Sequence, residues 1–407
     1  MKILFYNHTG QVSGAEHLLL MILARLDRKD FEPTVICPAQ SPLLKMTAAA
    51  GVRTIAMDVL EARFTWRVDR LIRYSKSLVH VVREFRRKVI SLSPDLIHAN
   101  SIRAGLVATA ATLDLGTPVV WHLHDLLPRH PFSTAIRIFA ALSGRTRMIA
   151  ISEAVAKNFR GRLARVMKNR VRVILNAIEL DKFQPAQTAG QTLRDDLGLN
   201  GVGPVLGIVG QLTRRKGQLE LLRAFAQSLA ELPQAVLLIV GASLFNRDHE
   251  YAGLLKRQAD KLGIANRVLM LGPRSDVAAI MQTLDLLVIN SSAEPFGLVA
   301  LEAMACGTAV LAAAVDGIPE IIEHGKNGWL VSRGDERMLA EAIAYLGRQP
   351  DLRAQLAEQG AQHVAARFSA DGYMKELQSF YHSTADCKSK AVAAEPTGRQ
   401  EELARFA

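Results

Sequence analysis

The chain is short of cysteine, of long apolar runs and of the familiar phosphate and metal signatures. Its three cysteines, Cys37, Cys306 and Cys387, stand too far apart for a disulfide framework or a CxxC metal cluster, and a reducing compartment is expected. No stretch approaches 18 uncharged apolar residues. The nearest, 299–315, carries Glu302 and Gly307, so no membrane-spanning helix is expected. The opening MKILFYNHTG passes from an apolar strand into a polar turn, without the apolar core and small-residue cleavage site of a signal peptide. A soluble cytoplasmic protein is expected, either free or peripheral on the inner membrane face. The chain has no GxxxxGK[ST] loop, no GxGxxG after either first strand, no DxD after a strand and no metal-ligand spacing. Those gaps argue against P-loop ATP hydrolysis, a dehydrogenase and a metal-dependent site.

What the chain has in quantity is apolar residues and positive charge. Of 407 residues, 49% are hydrophobic, enough for two or three packed domains and too many for a disordered chain. The net charge of +11 conceals an asymmetry. Residues 1–175 hold 27 Lys and Arg against 12 Asp and Glu, and the remainder holds 23 against 27. A basic half of that kind suits nucleic acid, anionic lipid or a phosphorylated substrate.

Short β-branched runs alternate with helical periods along most of the length. Strands are expected at 2–6, 34–37, 96–99, 119–123, 148–151 and 171–175, then at 205–209, 235–240, 267–271, 286–289 and 309–312. This alternation reads as an α/β protein with parallel sheets covered on both faces. The polar, glycine-rich stretch 181–203 separates two strand series of similar size, so two doubly wound, Rossmann-like domains facing across a cleft are expected. The limits are 1–178 for the first, joined by a C-terminal helix over 369–385, and 179–368 for the second. Residues 386–407 are expected to form a disordered tail. Doubly wound sheets bind ligands beyond the carboxyl ends of their strands, so the strand-to-helix loops are where chemistry is sought.

The richest loop is NSSAEPFGLVALEAMACGTAV at 290–310. It leaves an apolar strand, passes Glu294 and enters a helix that carries Glu302. Free N–H groups at that helix start can hold an anion or sugar hydroxyls. Two glutamates eight apart are also common on solvated helices, and the surrounding pattern is what gives this pair weight. Residues 294–302, EPFGLVALE, resemble the E-x7-E motif of family 4 glycosyltransferases, retaining enzymes of the GT-B fold. Asp316-Gly-Ile-Pro-Glu320 and His324-Gly-Lys-Asn-Gly-Trp-Leu-Val331 resemble the family's G-G-x-P-E and G-x-x-G-x-L-V runs. Residues 209–217, VGQLTRRKG, resemble its G-R-L-x-x-x-K-G motif, and Asn176-Ala-Ile-Glu its N-G-V-D turn. Ser13-Gly14-Ala15-Glu16, Val120–Asp125 and Ile149–Glu153 resemble its first-domain strand ends. The likeness covers residues 1 to about 381.

The resemblance implies a nucleotide-sugar donor, UDP- or GDP-linked, and no cofactor or metal. Glu302 would bind the ribose. Glu294 would meet the donor sugar with the backbone of Phe296, Gly297 and Leu298, and Lys216 would neutralise the departing diphosphate. Gln211 stands where the family usually has arginine, so Arg214 or Arg215 is the expected replacement. Gly14 permits close approach to a phosphate. His124, with Asp125 beside it, is the implied histidine at the reacting centre, and His122 shares its strand face. Asn100, Arg103 and Asp125 are expected on the acceptor side. The acceptor is a hydroxyl, as of a polyprenyl-linked saccharide. Runner-up readings are a nucleotide-sugar epimerase or a glycogen-synthase-like enzyme of the same fold. A non-catalytic membrane or nucleic-acid module is the rival from another class, against which the retained site residues argue.

One helical stretch, 65–93, carries an expected apolar stripe of Val68, Leu71, Ile72, Val79, Val82, Phe85 and Val89. Arg73, Lys76, His80, Arg83 and Arg87 recur on another face. They form either a solvated face or a contact with an anionic membrane surface. Tyr74 and Phe85 are the aromatics among these cations, Phe85 belonging to the apolar stripe, and no glycine interleaves, so nucleic acid is not an expected partner.

Overall fold

The computed structural model describes residues 1–60, 68–243 and 250–393. The chain forms two compact units: Met1–Leu175 together with the chain from Tyr373, and Asn176–Gly372. In the first unit, β1 (Lys2–Tyr6), β2 (Glu32–Pro38), β3 (Arg53–Met57), β4 (Leu96–Ala99), β5 (Val119–Leu123), β6 (Thr146–Ala150) and β7 (Val171–Val173) form one parallel sheet, ordered 3-2-1-4-5-6-7. In the second unit, β8 (Val205–Val209), β9 (Val236–Val240), β10 (Val268–Gly272), β11 (Leu286–Ile289), β12 (Ala309–Ala313) and β13 (Trp329–Val331) form another, ordered 10-9-8-11-12-13 and also parallel. Strands β5, β9 and β12 are buried along their whole length, which is why they read as continuous apolar runs instead of alternating ones. The order reverses between β1 and β4 and between β8 and β11, and each reversal is a switch point at which ligands bind such sheets.

Edge strands β3 and β13 were not expected from sequence. The first is half exposed and polar at its start, and the second has three residues, so neither shows a buried run. The domain boundary falls after Leu175 and not after 178. The Ile178 N–H donates to the Phe368 carbonyl at 2.9 Å, and Ile178 bridges Ser369, which ties this turn to the second unit. The last helix runs Ala370–Ala393. Residues 386–393, expected as disordered, are therefore helical, in keeping with their alanines and lysines, and 394–407 lie outside the described residues.

The long helix Val68–Leu92 corrects the expected stripe. Val81, Phe85 and Val89 are the buried residues, at the four-residue spacing of one helical face, and Phe85 packs on the Tyr6 ring at 4.5 Å. Val79 lies six positions from Phe85, on the other side of the helix, and is 48% exposed. The side chains of Val68, Leu71 and Ile72 lie outside the described residues. Arg73, Lys76, Arg83 and Arg87 are all exposed.

Candidate functional site

In the second unit, two loops meet at the β8/β11 switch point. After β8 the chain passes Gly210 and Gln211, makes a turn of 3-10 helix at Arg214–Lys216 and enters the helix Gln218–Ser228. Gly217 joins the two with φ of +71°, and a Cβ there would lie 2.1 Å from the Asn290 carbonyl oxygen. Only glycine allows this approach. It brings the loop after β8 against the loop after β11, where the Asn290 amide donates to the Gly217 carbonyl and the Ser292 N–H to that of Arg215.

This contact assembles an ionic cluster. Lys216 Nζ lies 2.6 Å from Glu294 Oε2, and Arg215 donates to the Ala293 carbonyl at 2.6 Å with its guanidinium 3.9 Å from the same carboxylate. Ser291 Oγ donates to Glu294 at 2.8 Å, and the Glu294 N–H donates to Asp316 at 2.9 Å. Burial pushes the Glu294 carboxyl up. The Lys216 charge and hydrogen bond, with Arg215 and Ser291, outweigh that and hold it below the ordinary carboxylate range. Arg215, and not Arg214, is thus the second cation beside Lys216. Gln211 is half-buried, and its carbonyl accepts from Gln218 at 3.0 Å.

Phe296 turns its ring into the core, 6.0 Å from Phe368, so it offers the site its backbone alone. Gly297, at φ of +111°, leads into the helix Leu298–Ala305, whose first N–H groups lack intrahelical acceptors. One turn on, burial drives the Glu302 carboxyl up to about 7, against an opposing pull from Lys216. Gly317 closes on the same loop from behind. A Cβ there would meet the Pro295 carbonyl oxygen at 2.4 Å, which explains the Asp-Gly pair at 316–317. At the carboxyl ends of β8, β9 and β10 lies a hollow of about 380 Å³, walled by Leu212, Ile239, Gly241, Ser243, Lys256 and Met270.

The first unit concentrates polar groups at its own switch point. His124 follows β5, Asn100 follows β4 and Asn7 follows β1, all facing one side of the sheet. His124 Nε2 lies 3.1 Å from Asn100 Oδ1. Asn100 Nδ2 reaches Asn7 Oδ1 at 2.9 Å and the Ala15 carbonyl at 3.3 Å. Asn7 Nδ2 in turn donates to the Thr9 carbonyl and the Glu16 carboxylate. Carbonyl and carboxylate oxygens only accept, so both amide orientations are fixed. His124 must then carry its proton on Nε2 and leave Nδ1 bare. Burial lowers His124 to about 3, so near neutrality the ring is uncharged and acts as a hydrogen-bonding group.

Asn100 is 1% exposed. Expected on the acceptor side, it is here the hydrogen-bond partner that orients His124. Arg103 lies close enough to His8 to help burial lower that ring to about 4, and Asp125 is exposed just beyond β5. Gly14 begins the helix Gly14–Arg25, where Ser13 N and Oγ donate to Glu16 at 3.0 and 2.6 Å. His122 shares the face of His124, with ring centroids 4.0 Å apart, yet it is fully buried against His98. The Tyr381 hydroxyl of the last helix lies 2.7 Å from His98 Nδ1. Sequence reasoning missed Asn7, His8, His98, Ser291 and Tyr381. The first three were findable as polar residues at the ends of strands otherwise apolar, whereas Tyr381 carries no local signal.

Residues 12–182 match the family model described as Glycosyltransferase Family 4, and residues 190–363 match the one described as Glycosyl transferases group 1. The D-inositol 3-phosphate glycosyltransferase of Frankia alni is 32% identical over 307 residues, 71% of this chain and 74% of that protein. For the Corynebacterium urealyticum protein of the same name the identity is 36% over 222 residues, and there the chain spans about half of its relative, 52%. Among solved structures, Anabaena HepE in complex with UDP and glucose superposes with a TM-score of 0.79 at 28% identity, covering 94% of this chain and all of that one.

Proposed function

The chain belongs to the family 4 glycosyltransferases of the GT-B fold, and from that premise we propose that it moves a hexose from UDP to a hydroxyl acceptor with retention at the anomeric carbon. The observation that carries this reading is the convergence of Lys216, Arg215 and Glu294 at the β8/β11 switch point. An ammonium has three donors. Glu294 takes one and leaves two for the diphosphate, and Arg215 supplies the charge that Gln211 does not. Glu302, whose carboxyl burial raises to about 7, is ionised above that pH and then accepts from the ribose hydroxyls, and the hollow beside Ser243 and Lys256 takes the base. Uridine is the preferred base because the Anabaena relative was solved with UDP. The stated charges suffice without a metal ion, and no cofactor is invoked.

In the transfer, the bond from the anomeric carbon to the diphosphate oxygen breaks and one to the acceptor oxygen forms, while the acceptor proton passes to the leaving diphosphate. Preorganised positive charge stabilises that departing group. Glu294 is engaged by Lys216 and Ser291, which suits orientation of sugar hydroxyls better than covalent attack. His124, uncharged with Nδ1 bare, accepts a hydrogen bond from a substrate hydroxyl. The acceptor is a lipid-linked saccharide presented at an anionic membrane surface, as the net basic charge of residues 1–175 favours.

Calorimetry with UDP-, GDP- and ADP-linked hexoses tests the donor. UDP-hexose should bind the wild type. Lys216→Ala should lose UDP-hexose while keeping uridine, and Glu302→Gln should weaken both by about 1.5–3 kcal/mol. Uridine and donor affinities unchanged in Glu302→Gln overturn the ribose assignment, and binding of GDP-hexose alone overturns the base.

A further inference from the structure

We propose that the outward face of the helix Pro131–Leu142 is the surface by which the first unit docks on an anionic lipid bilayer. The inference rests on the membrane-presented acceptor proposed above and names the element that makes the contact. The helix, PFSTAIRIFAAL, contains one charged residue. Phe132, Ile138 and Leu142 are 42, 45 and 80% exposed, and Ala135 is exposed with them. Residues 135, 138 and 142 follow the spacing of a single helical face, while Ser133 and Ala140 on the other side are buried. The single charge is turned inward. Arg137 donates to the Phe159 and Asn158 carbonyls, both at 2.9 Å. A helix whose solvent side is apolar but for Thr134, and whose one cation serves the protein, reverses the usual surface pattern, and such a patch marks a protein or membrane contact.

The surrounding charge decides between those partners. Residues 126–172 contain 11 Lys and Arg and one acidic residue, Glu153. Arg129 before the helix and Arg145 after it are exposed. So are Arg162, in the turn Gly161–Leu163 that packs on it, and Arg165 and Lys168 just beyond, where Val166 also faces solvent. A protein surface would have to be almost uniformly acidic to match these cations. A bilayer meets both demands at once, with acyl chains for the apolar face and anionic headgroups for the cations. On the helix Val68–Leu92 the cations are split: Arg73, Lys76, Arg83 and Arg87 are exposed, whereas Arg86 and Lys88 are paired with Asp114 and Glu84.

The test is co-sedimentation of the full chain with vesicles of phosphatidylcholine alone and of phosphatidylcholine with phosphatidylglycerol, across a salt series. The wild type should bind the anionic vesicles and lose them as salt rises. The pair Ile138→Ser with Leu142→Ser should partition on the order of tenfold less, with UDP-hexose affinity and melting temperature unchanged. In a separate variant, Leu142→Trp, the new indole should shift its emission to the blue on anionic vesicles. If the wild type binds and the double variant binds equally, this helix is not the docking element, and the membrane reading stands on another surface such as Arg73–Arg87. If the wild type ignores anionic vesicles at low salt, both the inference and the membrane-presented acceptor fall. A wild-type dimer that the double variant turns into a monomer, with no vesicle binding by either, assigns the face to a second copy of the chain and overturns the proposal.

Discussion

His124 shows how little of a residue's chemistry is its own. Its position after β5 comes from sequence order, but its proton is placed by Asn100, whose amide is held by the Ala15 carbonyl and by Asn7. Replacing Asn100 by Ala leaves the His124 N–H, Asn7 Oδ1 and the Ala15 carbonyl without that partner, at about 1–3 kcal/mol for each group that stays unsatisfied. The ring is then free to change tautomer. Turnover should fall in Asn100→Ala while affinity for UDP-hexose holds, and nitrogen NMR of the ring should show loss of the single Nε2–H form. An unchanged tautomer with reduced turnover would put the effect in packing instead. Glu294 and Glu302 make the complementary point: eight residues apart on one loop and helix, they are driven in opposite directions because Lys216 reaches one directly and burial governs the other.

Among elements, the turn Arg214–Gly217 does the assembling. It presents Arg215 and Lys216 to Glu294 because Gly217 lets two backbones touch. Gly198 is a fair control, since it has φ of +66° and a Cβ there would meet no atom within 4 Å. Gly198→Ala should cost about 1–2 kcal/mol, the strain of a left-handed residue with a side chain. Gly217→Ala should cost more, because the Asn290 carbonyl must move as well, and it should also weaken donor binding by displacing Lys216 from Glu294. Chemical denaturation and calorimetry on both variants check this. Equal stability losses with intact donor binding would show that the loop after β11 holds its place without the contact.

Across the whole molecule, the buried histidines make the first unit sensitive to acid. His98 and His124 are lowered to about 3 and His8 to about 4, burial being the first cause in each. Their unfolded value is 6.5, so the first unit's stability is fully present above pH 6.5 and is lost as pH falls, by up to about 1.4 kcal/mol per histidine per pH unit. In the second unit the signs are mixed: Glu302, raised to about 7 from 4.5, contributes stability that is present below pH 4.5 and lost as pH rises through 7, whereas Glu294, held low by Lys216, loses its contribution as pH falls. Between pH 7.5 and 5, limited proteolysis should accelerate more within residues 1–175 than within 176–372, and equal acceleration in both would contradict the burial of those rings. The sequence by itself determined the two parallel sheets, because strands buried on both faces must be apolar throughout, and it determined the donor loops, whose glycines and glutamates are local in the chain. It left out β3 and β13, whose edge positions require no apolar run, and it put Val79 on the wrong side of its helix. The tertiary structure alone decided that Arg215 and not Arg214 joins Lys216, that Asn100 orients His124, and that Tyr381 reaches His98 across 283 positions of sequence. Each of these depends on which side chains converge where strands end, and that convergence is set by sheet order and loop packing, which no local pattern of residues encodes.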